Sequence, residues 1–229
     1  MELRVFNTAQ EAAVEAASVM RQQSSSSSVY GFATGNTPLK IYDELRRGGP
    51  LEMAAAFALD EYLGLEPQDE RSFNWYVRNR VEPALGLPTG SIRCPNGAAE
   101  DPELEASQFE ANIKESPIDL QLLGTGRNGH IAFNEPGSEG DSLTRVVELH
   151  EITRVDNGSD FDGLAPEKAI TQGIATILRA KKLLLVATGE SKSEPIRKLL
   201  AGKVDTQWPL THLVDHPNLV VLVDRAAMD

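Results

Sequence analysis

The chain has 229 residues, 41% of them hydrophobic and 24% charged, the length and balance of one ordinary globular domain with a sizeable core. Its formal charge is -12 and its 22 basic residues are scattered, which excludes a nucleic-acid backbone as partner but not a small anion held by local N–H groups and one or two cations. Cys94 is the only cysteine, no stretch approaches the roughly 20 apolar residues of a membrane span, and Met1-Glu2-Leu3-Arg4 leads into a polar helical pattern without a signal peptide's apolar run, so a cytoplasmic protein with no membrane partner is expected.

In chain order, residues 8–22 carry a helical pattern, and the serine run at 24–28 reads as a solvated connection. Residues 29–33, 56–59, 120–123, 183–187 and 219–223 are short, nearly continuous apolar runs bounded by turn residues, the pattern of strands buried on both faces. Helical segments stand between them at 38–47, 103–115, 168–179 and 191–200. Thr37 before Pro38 has the N-cap and N1 pattern, and Ser191 with Glu194 has capping-box spacing. This alternation predicts a single-domain α/β fold, an open, mostly parallel, Rossmann-like sheet flanked by helices. Residues 135–165 lack strong apolar periodicity and hold Gly137, Gly140, Gly158 and Gly163, so they read either as a lid or binding loop or as a surface excursion.

The chemistry gathers where apolar runs end. Ala33-Thr34-Gly35-Asn36-Thr37-Pro38 joins a strand to a helix, so its small residues and free N–H groups suit a phosphate cradle, or else an ordinary turn capped by Thr37. Asp60-Glu61 follows another strand, where a carboxylate is well placed for proton chemistry. Adjacent side chains diverge, so one of the pair is left solvated or capping a helix. Gly124-Thr125-Gly126-Arg127-Asn128-Gly129-His130 has the G-x-G-x-x-G spacing of a dinucleotide loop. The following Phe133-Asn134-Glu135-Pro136-Gly137 is a turn rather than a helix, which argues against that reading and leaves His130 and Glu135 as an acid-base couple. A lone histidine is more often structural, so the glycine context carries this inference. Neither an H-E-x-x-H motif nor a His/Cys cluster supplies a metal site, and no metal is expected. Lys192, after Gly189-Glu190-Ser191, is either a phosphate-binding point charge or a solvated lysine.

Taken together, these stretches, spanning residues 29–224, resemble the glucosamine-6-phosphate deaminase family, within the wider group that includes the 6-phosphogluconolactonases. The most specific part is Gly129-His130-Ile131-Ala132-Phe133-Asn134-Glu135-Pro136, since lactonases continue differently after Gly-His; Thr211-His212-Leu213 also looks like a family segment. The resemblance implies a cofactor-free reaction that opens the pyranose ring, moves a proton from C2 to C1 and releases ammonia. It makes Asp60 the base for the C2 proton and His130 the ring-opening catalyst, assisted by Glu135 and Asn128. Thr34, Gly35, Asn36, Thr37 and Lys192 would hold the phosphate. Family members often have aspartate at position 128, and the amide here leaves more of the charge on His130 for Glu135 to balance. A lid over about 149–172 is implied, with Ser159 where a phosphate-binding arginine would stand, a loss that weakens phosphate binding unless Arg145, Arg154 or another side chain substitutes. The chain ends soon after Asp224, without the extension of the allosteric hexameric members, so a monomer or small homo-oligomer is expected. The alternatives are lactone hydrolysis on the same fold and a sensor that binds a sugar phosphate without turnover.

Overall fold

The computed structural model describes residues 1–229. Its strands are β1 (Glu2–Phe6), β2 (Val29–Phe32), β3 (Ala55–Ala58), β4 (Asp60–Tyr62), β5 (Ile92–Arg93), β6 (Leu120–Leu123), β7 (Arg145–Glu148), β8 (Lys168–Thr171), β9 (Lys182–Ala187) and β10 (Leu219–Asp224). The helices are α1 (Ala9–Gln22), α2 (Asn36–Arg47), α3 (Phe73–Tyr76), α4 (Glu82–Leu85), α5 (Pro102–Glu115), α6 (Glu151–Asp156), α7 (Ile174–Leu178) and α8 (Ser193–Leu200), with a π-helical turn joining α3 to α4.

Seven strands form a parallel sheet in the order β1-β10-β9-β6-β2-β3-β5. All five apolar runs lie in it, and β9 and β10 are buried nearly end to end, as strands sandwiched between helices must be. From β2 the chain winds toward β5, and from β6 it winds the other way. The switch point therefore falls between β2 and β6, and the crevice beyond their carboxyl ends is where ligands bind in open α/β sheets. Gly31 is what lets β2 lie against β6 here, because a β-carbon at that position would come 1.9 Å from the buried amide of Gln121.

Several local expectations need correction. Residues 2–6, expected to run toward the first helix, form the edge strand β1. The helix predicted over 168–179 is a strand followed by the short α7. Residues 168–171 pair on both sides, with β4 and with β7, in an antiparallel sheet of order β4-β8-β7, and this pairing overrides the helical pattern. The irregular reading of 135–165 fails in part, since that segment contains β7 and α6. Thr37 lies inside α2, whose N-cap is Gly35, and the Ser191–Glu194 capping box does not form, because Glu190–Lys192 makes a 3-10 turn before α8 begins. The α1 boundary holds, with Thr8 accepting the N–H of Glu11.

The core divides unequally. A cluster of 47 buried residues fills the parallel sheet and its helices, whereas six residues around Tyr62 and Phe133 pack the small sheet. Tyr62 packs against Phe73, Phe133 and Phe161 in tilted and edge-to-face arrangements with ring centroids 4.7, 5.3 and 5.3 Å away, joining β4, α3, the 130s turn and the segment after α6. Glu61 anchors the same corner. Its carboxylate is buried and accepts backbone N–H bonds from Tyr62, Phe73 and Asn74 at 2.8, 3.0 and 2.6 Å, two of them from the first turn of α3. Glu61→Ala should therefore cost about 1–3 kcal/mol in chemical denaturation by stranding those donors; an unchanged midpoint would show that water satisfies them.

Candidate active site

Asp60 is the first residue of β4, two past the end of β3, where the chain leaves the parallel sheet and enters the small one. It is only 5% exposed, and its side chain accepts no hydrogen bond from the protein. Burial, reinforced by the neighbouring Glu61 charge, pushes its carboxyl well above the ordinary 3.8. Glu61 is pushed up to about 7 by burial, an effect its backbone donors only partly offset. The two carboxylates thus divide as adjacent side chains must: Glu61 caps a helix, and Asp60 is left without a protein hydrogen-bond donor.

The glycine-rich loop after β6 forms the second part. Gly126 lies beneath the imidazole, where a β-carbon would come 2.3 Å from Cε1 of His130, and Gly129 holds φ at +78° against Trp208 and Leu210. The 3-10 segment Pro209–Asp215 buttresses it, Leu210 donating its N–H to the Gly129 carbonyl at 2.9 Å. Ala132 then takes φ of +50°, a left-handed conformation uncommon for a residue with a side chain, and the chain turns so that Glu135 returns toward His130. The turn is pinned by Asn134, which is fully buried and donates to the carbonyls of Ile131 and Gln172 at 2.9 and 2.8 Å while accepting from Arg145 at 2.9 Å.

Three of the expected residues converge here. Asn128 Nδ2 donates to Glu135 Oε2 at 2.8 Å, and the same carboxylate oxygen lies 3.8 Å from His130 Nδ1. The Asn128 carbonyl accepts the backbone N–H of His130 at 3.3 Å, so the amide fixes Glu135 and the loop rather than the imidazole ring itself. The ring has another partner, Thr153 on α6, whose Oγ1 is 3.3 Å from Nδ1. A buried threonine on a six-residue helix carries no sequence signal, and Thr153 is invisible to sequence reasoning. Burial tends to raise the Glu135 carboxyl, but His130, Thr153 and Asn128 outweigh it and hold the group below its usual value. Glu135 is thus an anion positioned to stabilise a protonated imidazole, while His130 Nε2 takes no hydrogen bond from the protein.

Between these parts, at the end of β2, lies the expected phosphate loop. Gly35 and Asn36 are exposed, Thr34 and Thr37 half-buried, and Gly35 has φ of +98° with open space around it. Tyr42 and Tyr76 brace the loop from behind, donating to the carbonyls of Ala33 and Gly35 at 2.5 and 2.8 Å. No side chain caps α2 and no acidic residue occupies its first turn, so its N–H groups remain available to an anion. Lys192 projects from the turn after β9. It is half-buried and paired with no carboxylate within ion-pair distance; burial lowers its ammonium, and Asp156 and Arg127 are the charges acting on it. Ser159 is exposed. Of the arginines considered in its place, Arg145 is bound to Asn134, and Arg154 donates to the Ala165 carbonyl at 3.0 Å. A surface depression of about 460 Å³ is lined by Glu135, Ser138, Arg145 and neighbours and excludes Asp60, His130 and Lys192. Chemistry, not cavity size, marks this site.

Because burial raises Asp60 and Glu61, each loses protons at higher pH in the folded chain than in the unfolded one. Their shared penalty is absent below about pH 4 and grows through the window up to the folded values, about 7 for Glu61. His212, lowered by burial, acts in the opposite sense, so the clean measurement is a difference between proteins. Asp60→Asn should melt above the wild type at pH 7–8, by roughly 2–4 °C for each 1 kcal/mol relieved, with the gap closing toward pH 4. A lower melting temperature throughout would mean that Asp60 is a stabilising anion.

The family model for glucosamine-6-phosphate isomerases/6-phosphogluconolactonase matches residues 4–221. A glucosamine-6-phosphate deaminase of Corynebacterium aurimucosum is 39% identical over 235 residues, covering 99% of this chain and 92% of the relative. One of Rhodopirellula baltica is 43% identical over 208 residues, covering 87% and 83%. Among solved structures, a monomeric glucosamine-6-phosphate deaminase superposes with a TM-score of 0.94 at 37% identity, over 99% of this chain and 98% of the other. A 6-phosphogluconolactonase from Trypanosoma brucei superposes with a TM-score of 0.74 at 20% identity, over 99% and 97%, a likeness of fold alone.

Proposed function

The chain belongs to the glucosamine-6-phosphate isomerase/6-phosphogluconolactonase family, and from that premise we propose that it converts glucosamine 6-phosphate and water to fructose 6-phosphate and ammonia. The observation that carries the reading is a buried Asp60 with no protein hydrogen-bond donor, on the strand beside a His130 whose Nδ1 faces Thr153 and Glu135 across the β8 seam. Carbon-acid chemistry needs a base with no competing hydrogen bond, and ring opening needs a group that moves a proton between two oxygens.

In this reading the phosphate sits at residues 34–37 with Lys192, which fixes the register of the sugar. His130 moves a proton from the C1 hydroxyl to the ring oxygen, opening the pyranose to the aldehyde, while Glu135 balances the transient imidazolium. Asp60 takes the C2 proton, the electrons of that bond form an enolamine, and reprotonation at C1 leaves an imine at C2. Water adds there and ammonia departs, giving the ketose phosphate. α6 with the segment after it serves as the lid over the 149–172 region, and Thr153 gives it a direct hold on the catalytic ring. We place the protein in the cytoplasm, in amino-sugar catabolism downstream of N-acetylglucosamine, a compartment compatible with its single cysteine. The way Asn134 and Glu135 are built into the site favours deamination over lactone hydrolysis, since both belong to the run that lactonases lack.

Purified protein should release ammonia and fructose 6-phosphate from glucosamine 6-phosphate in equal amounts without added metal. Binding without turnover would turn the assignment to a sensor, and neither would direct it to lactones. Asp60→Asn should abolish exchange of the C2 proton while leaving sugar-phosphate binding measurable; retained exchange would remove Asp60 from the mechanism. Lys192→Ala should raise KM with kcat nearly unchanged, as loss of a contact equal in ground and transition states requires, whereas a fall in kcat alone would contradict its role.

A further inference from the structure

Lys192 is a single ammonium, yet a phosphate monoester carries about -1.5 to -2 charges near neutrality. One other cation reaches the same end of the crevice. Arg127 stands in the glycine-rich loop three residues before His130, and its guanidinium is about half exposed. Its Nε donates to Asp156 Oδ2 at 2.8 Å, and its terminal nitrogens bond to nothing in the protein. Asp156 is the last residue of α6, the helix that also brings Thr153 to His130. Arg127 lies on the loop that carries His130, and Asp156 on the helix whose Thr153 meets that ring, so the pair belongs to this site rather than to a remote surface, and both charges act on Lys192. The other arginines of the region are engaged elsewhere: Arg145 holds Asn134, and Arg154 faces Ala165 and Glu167.

We propose that Arg127 is a ligand of the substrate phosphate that Asp156 occupies in the free protein, so that substrate and lid carboxylate compete for one guanidinium. This rests on the phosphate assignment made for Lys192 and residues 34–37. Asp156 presents a single negative charge through one hydrogen bond, on the last turn of a helix where negative charge is unfavourable. A phosphate dianion offers more charge and several acceptor oxygens, and the planar fork of arginine with two free nitrogens suits it. The exchange sets affinity: each substrate bound releases Asp156, and α6 is freed from the glycine-rich loop at its far end while Thr153 still holds the near end.

The test is the Michaelis constant for glucosamine 6-phosphate in three variants, with melting curves to confirm folding. Arg127→Ala should raise KM about tenfold or more with little change in kcat, as loss of a charge-assisted contact predicts. Arg127→Lys should recover part of that loss. Asp156→Asn should lower KM, by about twofold to fivefold, because the competitor is gone. A pair that merely latches the lid would shift KM in the same direction in Arg127→Ala and Asp156→Asn, and that result overturns the proposal, as does an unchanged KM in Arg127→Ala. Either result leaves the deaminase reading intact, since the wild type still turns over. If the wild type fails to turn over, the deaminase reading falls, and titration with inorganic phosphate decides the inference alone. Weaker binding in Arg127→Ala then supports it, and equal binding overturns it.

Discussion

Thr171 and Gln172, at the end of β8, are the seam on which the active centre depends. The Gln172 backbone donates its N–H to the Leu59 carbonyl at 2.8 Å, and its side-chain amide donates to the Ala58 carbonyl at 2.9 Å, fastening the small sheet where the chain turns toward Asp60. On the other side, the Gln172 carbonyl accepts Asn134, and Thr171 Oγ1 accepts the N–H of Phe133 at 3.0 Å. Two distant stretches, one bearing Asp60 and one bearing His130 and Glu135, are thus held to a common pair of buried polar residues. A polar seam suits this task better than apolar packing. Each unmade bond there carries the full desolvation cost of its donor or acceptor, so the geometry is specified by direction as well as by volume.

The same economy of polar partners separates the two carboxylates that follow β3. Glu61 has three backbone donors, and Asp60 has none, although both are buried. Desolvation without compensation is a folding liability, and a protein keeps one where chemistry uses it. Glu135 shows the reverse: its donors win over burial and keep it an anion beside an imidazole. Burial thus wins at Asp60 and at Glu61, whose three backbone donors only partly offset it, whereas at Glu135 the adjacent His130, with Thr153 and Asn128, outweighs it.

Much of this was legible in the residues. The five apolar runs were sufficient to identify five strands of the parallel sheet, because strands buried on both faces leave a continuous signature. Strands β1, β5, β7 and β8 are edge, short or half-covered, and their residues carry mixed patterns; 168–171 in particular looks helical until β4 and β7 pair with it. The turn chemistry of Asn134-Glu135-Pro136, and hence the rejection of a dinucleotide loop, agrees with the observed chain path. What the residues did not disclose were contacts set by tertiary geometry. Thr153 reaches His130 across 23 positions, and Arg127 meets Asp156 across 29. Asn128 was expected to assist His130, and the structure places its amide on Glu135, with only the backbone of His130 as its other partner.

The unequal division of the core has a further consequence. One wall of the crevice belongs to a sheet packed by 47 buried residues, and the opposite wall to a sheet packed by six. Free energies of local opening follow the apolar contact that must be broken, so the small sheet is expected to open more readily to solvent exchange than the parallel one. The first wall carries residues 34–37 and the glycine-rich loop; the second carries β4 and α6. Ligand affinity in such a molecule includes the work of quieting the softer unit, and warming will silence turnover while most backbone amides of the parallel sheet remain protected.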